Sequence, residues 1–174
     1  MILGIVYRST GSWYKVVTQN EIINCRIQGR LRLSNIKSTN PVVVGDKVLV
    51  QKDQLSDNNE GVIVQIKERK NYIIRKSVNL SKQSHIIAAN IDQAFLLITL
   101  KNPITTTSFI DRFLITAEAY KVKCILVFNK IDTYDKSFKI KMNEMINLYK
   151  KIGYPCIKIS ASKKINVKKI KDLI

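Results

Sequence analysis

The sequence predicts two architectures in one chain: a small closed β barrel, then an α/β domain built on a parallel sheet. Three observations carry this reading. Before about residue 85, short runs of alternating apolar and polar residues predominate. Gly, Pro, Asn, Asp and Ser punctuate those runs as turns. After it, continuous apolar runs alternate with segments whose apolar residues recur at helical spacing. Alternation marks half-buried strands, whereas a short unbroken apolar run suits a strand covered on both faces.

The first part contains Leu3–Tyr7, Trp13–Thr18, Asn24–Gln28, Lys47–Gln51 and Val62–Ile66 as strand-like runs. Thr10-Gly11-Ser12, Gly29, Asn40-Pro41, Gly45-Asp46, residues 56–59 and Gly61 separate them. Five short antiparallel strands in so few residues are expected to close on themselves, because closure removes the exposed edges. A five-stranded barrel of the oligonucleotide-binding type (OB fold) fits, and such barrels use a basic face to track nucleic acid. Arg26, Arg30 and Arg32 flank Gly29 at even spacing, which on a strand aligns them on one face. They read as a phosphate-contacting, RNA-binding stripe or as a solvated strand face; spacing alone does not decide. The barrel is assigned to residues 1–72, a charged and polar linker to 73–85, and the second domain to 86–174.

In the second part, Ala94–Leu100 is a buried strand. Ser108 and Asp111 resemble a capping-box start for a helix carrying Ile110, Phe113, Leu114 and Ala117. Cys124–Phe128 is the next strand. Ser137 is expected to cap a helix with Phe138, Met142, Met145, Ile146 and Tyr149 on one side; Gly153 and Pro155 end it. The methionines read as core filler. Cys156–Ser160 is a third strand, and Asn166 is expected to cap a last helix bearing Ile170, Leu173 and Ile174. Three strand–helix units in succession predict a parallel sheet with right-handed crossovers.

Composition narrows the partners. Thirty Lys and Arg against 13 Asp and Glu give +17 across 174 residues, shared between both parts. A field of that size attracts a polyanion, although a lysine-rich composition filling solvated faces gives the same count. No apolar run approaches a membrane span, and the opening Met-Ile-Leu-Gly-Ile-Val reads as a first strand with no leader, so a cytoplasmic location without membrane contact is expected. Cys25, Cys124 and Cys156 lie far apart in strand-like runs and read as reduced, buried thiols. With no C-x-x-C and His85 the sole histidine, neither a zinc site nor a histidine general base is expected.

The most informative string is Asn129-Lys130-Ile131-Asp132, just past the Cys124–Phe128 strand. Ligands of parallel sheets collect at the carboxyl ends of strands. A carboxylate offers two acceptors to the adjacent N1–H and 2-amino donors of guanine, a pair that adenine lacks. The Lys130 stem can lie along a base plane, and Asn129 can donate and accept at once. Ser160-Ala161 ends the next strand, where a small residue admits a backbone N–H to guanine O6. Nucleotide contacts are therefore expected at Asn129, Lys130, Ile131, Asp132, Ser160 and Ala161. No G-x-x-x-x-G-K-[ST] phosphate loop and no D-x-x-G occurs in the sequence.

A base reader preceded by a barrel, with no phosphate loop before it, is similar to one arrangement in particular. Through "CRIQGRLR", "VVGDKV", "AANIDQAFLL", "FIDRFLITAE", "LVFNKID" and "YPCIKISA", the chain resembles the circularly permuted, ribosome small-subunit-dependent GTPases, the RsgA or YjeQ family, from near Gly4 to its last residue. The resemblance implies an OB barrel followed by part of a circularly permuted P-loop-type GTPase domain. It also implies GTP hydrolysis, GTP with Mg2+ as ligands, and action as a monomer in late maturation of the small ribosomal subunit through contact with its rRNA. In the family the phosphate loop and a zinc-binding tail follow the base reader. On that expectation the chain is the N-terminal portion of a member, holds no catalytic residue, carries no zinc site and does not hydrolyse GTP by itself. The alternative is a non-enzymatic OB-fold nucleic-acid-binding module joined to a degenerate α/β domain.

Overall fold

A computed structural model describes residues 1–29, 41–53, 59–76 and 84–174. Arg30 and Arg32 lie outside the described residues, so of the expected arginine stripe only Arg26 can be followed. The chain forms two compact units, Met1–Ile91 and Asp92–Ile174.

In the first unit, β1 (Ile2–Thr10), β2 (Trp13–Val17), β3 (Ile22–Ile27), β4 (Lys47–Lys52) and β5 (Glu60–Ile66) close into a barrel of order β1-β2-β3-β5-β4. Alternation does what the sequence requires of it: Val6, Tyr14, Val16, Ile23, Cys25, Ile27, Val48, Val50 and Ile63 point inward with Val42. One pairing departs from the expected antiparallel set. β3 and β5 run parallel, because the chain between them enters β4 and returns before closing the barrel. Hydrophobic period specifies which face is buried and says nothing of the direction of the neighbouring strand.

The span read as a linker contributes to strands. β6 (Tyr72–Lys76) and β7 (Ser84–Ala89) form an antiparallel pair, so His85 has strand backbone. A polar network ties this pair to the barrel. The Asp46 carboxylate is wholly buried and accepts two hydrogen bonds from the Arg69 guanidinium, at 2.7 and 2.8 Å, and one from Val43 N at 2.9 Å. Arg69 also donates to Pro41 O at 2.9 Å. Asn90 donates from its side-chain amide to Gly45 O and accepts from Lys70 N. Asn71 exchanges two hydrogen bonds with the backbone of Ile91. Gly45 has φ +87°, and a Cβ there would meet Ala89 O at 2.0 Å. Only glycine permits that approach.

In the second unit, β8 (Gln93–Ile98), β9 (Lys123–Phe128) and β10 (Cys156–Lys158) form an all-parallel sheet of order β10-β9-β8. Crossover helices α1 (Thr107–Ala119) and α2 (Lys136–Lys151) connect them, and α3 (Val167–Lys171) follows. β9 is buried on both faces from Cys124 to Phe128. Ile125 and Val127 cluster with Ile159, backed by Phe95, Ile157 and Ile170. Ile110, Leu114 and Ala117 are the buried residues of α1; Met142, Ile146 and Tyr149 are those of α2.

Two helix starts differ from expectation by two residues. Thr106, not Ser108, caps α1 by accepting from Phe109 N. Asp135, not Ser137, caps α2: its carboxylate accepts from Phe138 N and from the Ser137 hydroxyl. Asn166 precedes α3, but its side chain donates to Lys158 O and does not cap the helix. Leu173 and Ile174 are exposed. Cys25 and Cys124 are buried and Cys156 half-buried; burial pushes the Cys25 thiol up to about 12 and Cys124 to about 11. Among the described residues no helix is long and apolar enough to cross a membrane.

Removing the guanidinium in Arg69→Ala leaves the Asp46 carboxylate buried without a cation. Loss of one partner of such a pair typically costs about 3–5 kcal/mol. Urea unfolding followed by Trp13 emission is expected to show the first unit destabilised by roughly that amount; an unchanged midpoint would mean the pair does not hold the hairpin down.

Candidate functional site

The expected base-reading residues all lie at the carboxyl end of the parallel sheet, and the structure shows why they meet there. β8 and β9 run in register from Gln93–Lys123 to Ile98–Phe128, and β10 pairs with β9 from Cys156–Leu126 to Lys158–Phe128. The three strands therefore finish level. The chain leaving β9 bonds to both neighbours: Asn129 N donates to Ile98 O at 2.8 Å, Ile159 N donates to Phe128 O at 2.8 Å and Ile131 N to Ile159 O at 3.3 Å.

Asn129 is the centre of the arrangement. It is 9% exposed, and its side-chain oxygen accepts from Lys130 N at 2.8 Å and from Ala161 N at 3.1 Å. Both lone pairs of the amide oxygen are thereby engaged, which fixes the amide so that its NH2 group, not its oxygen, is available to a ligand. The Ala161 N–H is used to hold Asn129, which gives this small residue a definite role in joining the two strand ends.

Lys130 adopts the left-handed conformation, φ 63° and ψ 30°, and starts the short 3₁₀ turn Ile131–Thr133. The Thr133 backbone N–H and hydroxyl both donate to Lys130 O. The Lys130 ammonium donates to Asn102 O in the loop after β8, so its stem crosses from one strand end to the next. Ile131 contributes its backbone to the same turn. Asp132 stands exposed on this turn, and its carboxylate accepts from the Ser162 hydroxyl at 3.5 Å. The Ser160 hydroxyl, with Lys163 and Ser162 close by, holds the Asp132 carboxyl below the ordinary carboxylate range. It is ionised throughout neutral pH and presents an acceptor-only edge. Ser160 is buried; its hydroxyl accepts from Lys163 N at 3.1 Å and lies 3.2 Å from Ser162 Oγ.

Sequence reasoning brings together the right two strand ends and misses what supports them. Tyr134 is buried, donates from its hydroxyl to Asn129 O at 2.7 Å and accepts from Leu100 N at 2.9 Å. It thereby spans the ends of β8 and β9. Asn102 and Ser162 are likewise drawn in. A tyrosine two residues past the string reads in sequence as apolar filler; only its hydroxyl's buried partners reveal it as a strut. Among the described residues no group of three or more His, Cys, Asp or Glu side chains could hold a metal, so no residue here is assigned to magnesium or zinc.

Comparison with known proteins finds matches to both units. A family model described as RsgA GTPase matches residues 66–174, and one described as RsgA N-terminal domain matches residues 3–63. The small ribosomal subunit biogenesis GTPase RsgA of Christiangramia forsetii is 56% identical over 97% of this chain and 54% of its own length. The RsgA of Flavobacterium johnsoniae is 54% identical over 98% of this chain and 53% of its own. Among solved structures, YjeQ from Thermotoga maritima superposes with a TM-score of 0.75 at 31% identity, covering 99% of this chain and 56% of YjeQ. YloQ, described as a circularly permuted GTPase, gives 0.71 at 27% identity, covering 100% and 56%. The chain thus spans about half the length of the curated relatives it matches.

Tyr134→Phe keeps the ring and removes the strut, leaving Leu100 N–H and Asn129 C=O buried without that partner. An unsatisfied buried group costs about 1–3 kcal/mol. Thermal unfolding followed by far-UV circular dichroism is expected to register a loss of that order, with the amide resonances of Leu100 and Asn129 shifted; identical stability would show that water replaces the hydroxyl freely.

Proposed function

The chain belongs to the RsgA GTPase family, and from that premise we propose that it supplies the guanine-reading part of a GTPase that assists late maturation of the small ribosomal subunit, together with a barrel that holds rRNA. The observation that carries the nucleotide reading is the locked Asn129 amide beside the ionised Asp132 carboxylate at level strand ends. Asp132 accepts from guanine N1–H and the 2-amino group. The Asn129 NH2 donates toward the acceptor edge of the base, N7 and O6. The Lys130 stem, drawn across to Asn102, forms a floor along the ring plane. Adenine presents an amino donor where guanine carries O6 and lacks the paired donors that a carboxylate needs, so the same residues reject it.

GTP hydrolysis is proposed for the protein on family grounds. The steps at the phosphates are assigned to none of the residues described here, and neither is the Mg2+ that accompanies GTP in such enzymes. The small ribosomal subunit is the proposed partner, the cytoplasm the proposed location, and a monomer the proposed working state. The charge of +17 supports the RNA reading. Arg26 supports it as a barrel-face cation.

Two measurements test these readings. Guanosine monophosphate at millimolar concentration is expected to shift the amide resonances of Asn129–Asp132 and Ser160–Ser162, with adenosine monophosphate leaving them in place. Asp132→Asn is expected to weaken guanosine monophosphate roughly ten- to a hundredfold, the effect of losing a charge-assisted pair of hydrogen bonds, and to improve xanthosine monophosphate, whose 2-oxo group accepts where guanine donates. Equal response to both purines would remove Asp132 from the site. For the barrel, affinity for small-subunit rRNA is expected to fall linearly with the logarithm of salt concentration as counterions are released; a flat response would count against phosphate contact.

A further inference from the structure

Two rows of side chains cross the outer face of the barrel. Strand register places Arg8 opposite Lys15, Lys15 opposite Asn24, and Asn24 opposite Glu60, so one row runs over β1, β2, β3 and β5. The adjacent row brings Thr10 opposite Trp13 and Arg26 opposite Val62. Within it, the Arg26 guanidinium carbon lies 4.2 Å from the centre of the Trp13 ring. Arg26 therefore occupies one side of an aromatic platform.

Trp13 separates two open recesses. One, of about 350 Å³, is lined by Arg8, Thr10, Trp13, Lys15, Asn24 and Glu60. The other, of about 270 Å³, contains Arg26. The larger recess is lined by Trp13 without Arg26, so the guanidinium does not fill it. Its volume falls at the lower end of small-ligand pockets, about 300–1,000 Å³. Around the indole the side chains of Arg8, Lys15, Asn24 and Glu60 have no hydrogen-bond or ion-pair partner among the described residues.

We infer that this recess holds one unstacked base of a single-stranded RNA, lying against Trp13. The inference rests on the reading that the barrel binds RNA, and it names the chemical form bound. Aromatic faces stack on unpaired bases, whereas a duplex hides base faces between neighbours. Arg8 on β1 and Lys15 on β2 take the phosphates. Asn24 and Glu60 face the base edge. The Glu60 carboxylate accepts from an exocyclic amine, which cytosine, adenine and guanine carry. Uracil offers a single ring N–H between two carbonyl oxygens that repel a carboxylate, so the recess disfavours uracil.

Trp13 is the only tryptophan, which makes its emission a direct probe. The 174-residue chain is titrated with the RNA pentamer CACAC, the pentamer UUUUU and a 12-base-pair RNA duplex. The expected result is saturable quenching by CACAC, weaker binding of UUUUU and no quenching by the duplex. Measured by anisotropy of labelled CACAC, Trp13→Ala is expected to weaken binding about tenfold, the size of a lost base–aromatic stack, and Trp13→Phe to restore most of it. Glu60→Gln is expected to bring the CACAC-to-UUUUU ratio toward one. If Trp13→Ala fails to fold by circular dichroism, the phenylalanine and glutamine variants carry the comparison. CACAC binding with unaltered emission and equal affinity in the Trp13 variants would overturn the recess while leaving RNA binding by the barrel intact. Quenching by the duplex as strong as by CACAC would overturn the single-strand requirement. Absence of binding to every RNA would overturn both readings.

Discussion

One residue, Asn129, makes the ends of three parallel strands into a single surface. Its backbone N–H bonds to β8, its position ends β9, and its side-chain oxygen receives the N–H of Ala161 beyond β10. A parallel sheet delivers its strand ends to one side but does not fix the loops that leave them. Here the fixing is done by an amide that is almost completely buried, in a setting where each hydrogen bond is stronger than in water and costly to leave unmade. The consequence is directional. With the oxygen spoken for on two sides, the amide cannot flip, and its NH2 faces outward. Tyr134 reinforces the same geometry from beneath by joining Asn129 O to Leu100 N. The exposed Asp132 then stands on a turn whose start and end are both held, so an otherwise mobile carboxylate has a defined direction.

The first unit solves a comparable problem with different chemistry. The hairpin of β6 and β7 has too few strands to be stable alone, and it is held to the barrel by buried polar groups whose partners are nearly all accounted for. Asp46 and Arg69 bond to each other and to backbone atoms, and the side chains of Asn71 and Asn90 bond to backbone atoms. Buried polar groups bonded in this way tolerate little displacement, because moving one orphans the backbone or charged group it satisfies. The "AANI" string that marks the family resemblance is thus a clamp. Ala89 lies against Gly45, and Asn90 and Ile91 bond to the barrel-side residues Gly45, Lys70 and Asn71. Its distinctiveness in sequence comes from packing, with no ligand needed to explain it.

Much of this was legible before any coordinates. Alternation assigned the inward residues of the barrel, and the unbroken run at Cys124–Phe128 marked a strand covered on both faces. The string at Asn129–Asp132 and the Ser160-Ala161 turn were joined correctly because parallel topology brings successive strand ends to one side. The shortfalls have physical causes. Thr105, Thr106, Thr107 and Ser108 are all competent to cap, so the sequence leaves the helix start open to a shift of two residues. Asp135 displaced Ser137 because a carboxylate can accept from the helix N–H and from the serine hydroxyl together. The parallel β3–β5 pairing and the β6–β7 hairpin depend on contacts distant in sequence, and local period carries no trace of them.

The balance of charge gives the two units a common logic. In a chain of +17, attraction to phosphate is strong and indiscriminate. Arginine and lysine can draw any polyanion toward the surface, but none of them separates one base from another by charge alone. An outward-facing carboxylate opposes that attraction, so its presence at a ligand-facing position has to be offset by what it discriminates. In the proposed function Asp132 does this at the sheet, where its neighbours Ser160, Lys163 and Ser162 keep it ionised. Glu60 occupies the corresponding position on the barrel, at the end of a row that begins with Arg8 and Lys15. On the two proposed readings, cations gather the ligand and carboxylates select its edge: the same division of labour in two unrelated folds, set by the exocyclic amino donors that guanine, adenine and cytosine expose and uracil lacks.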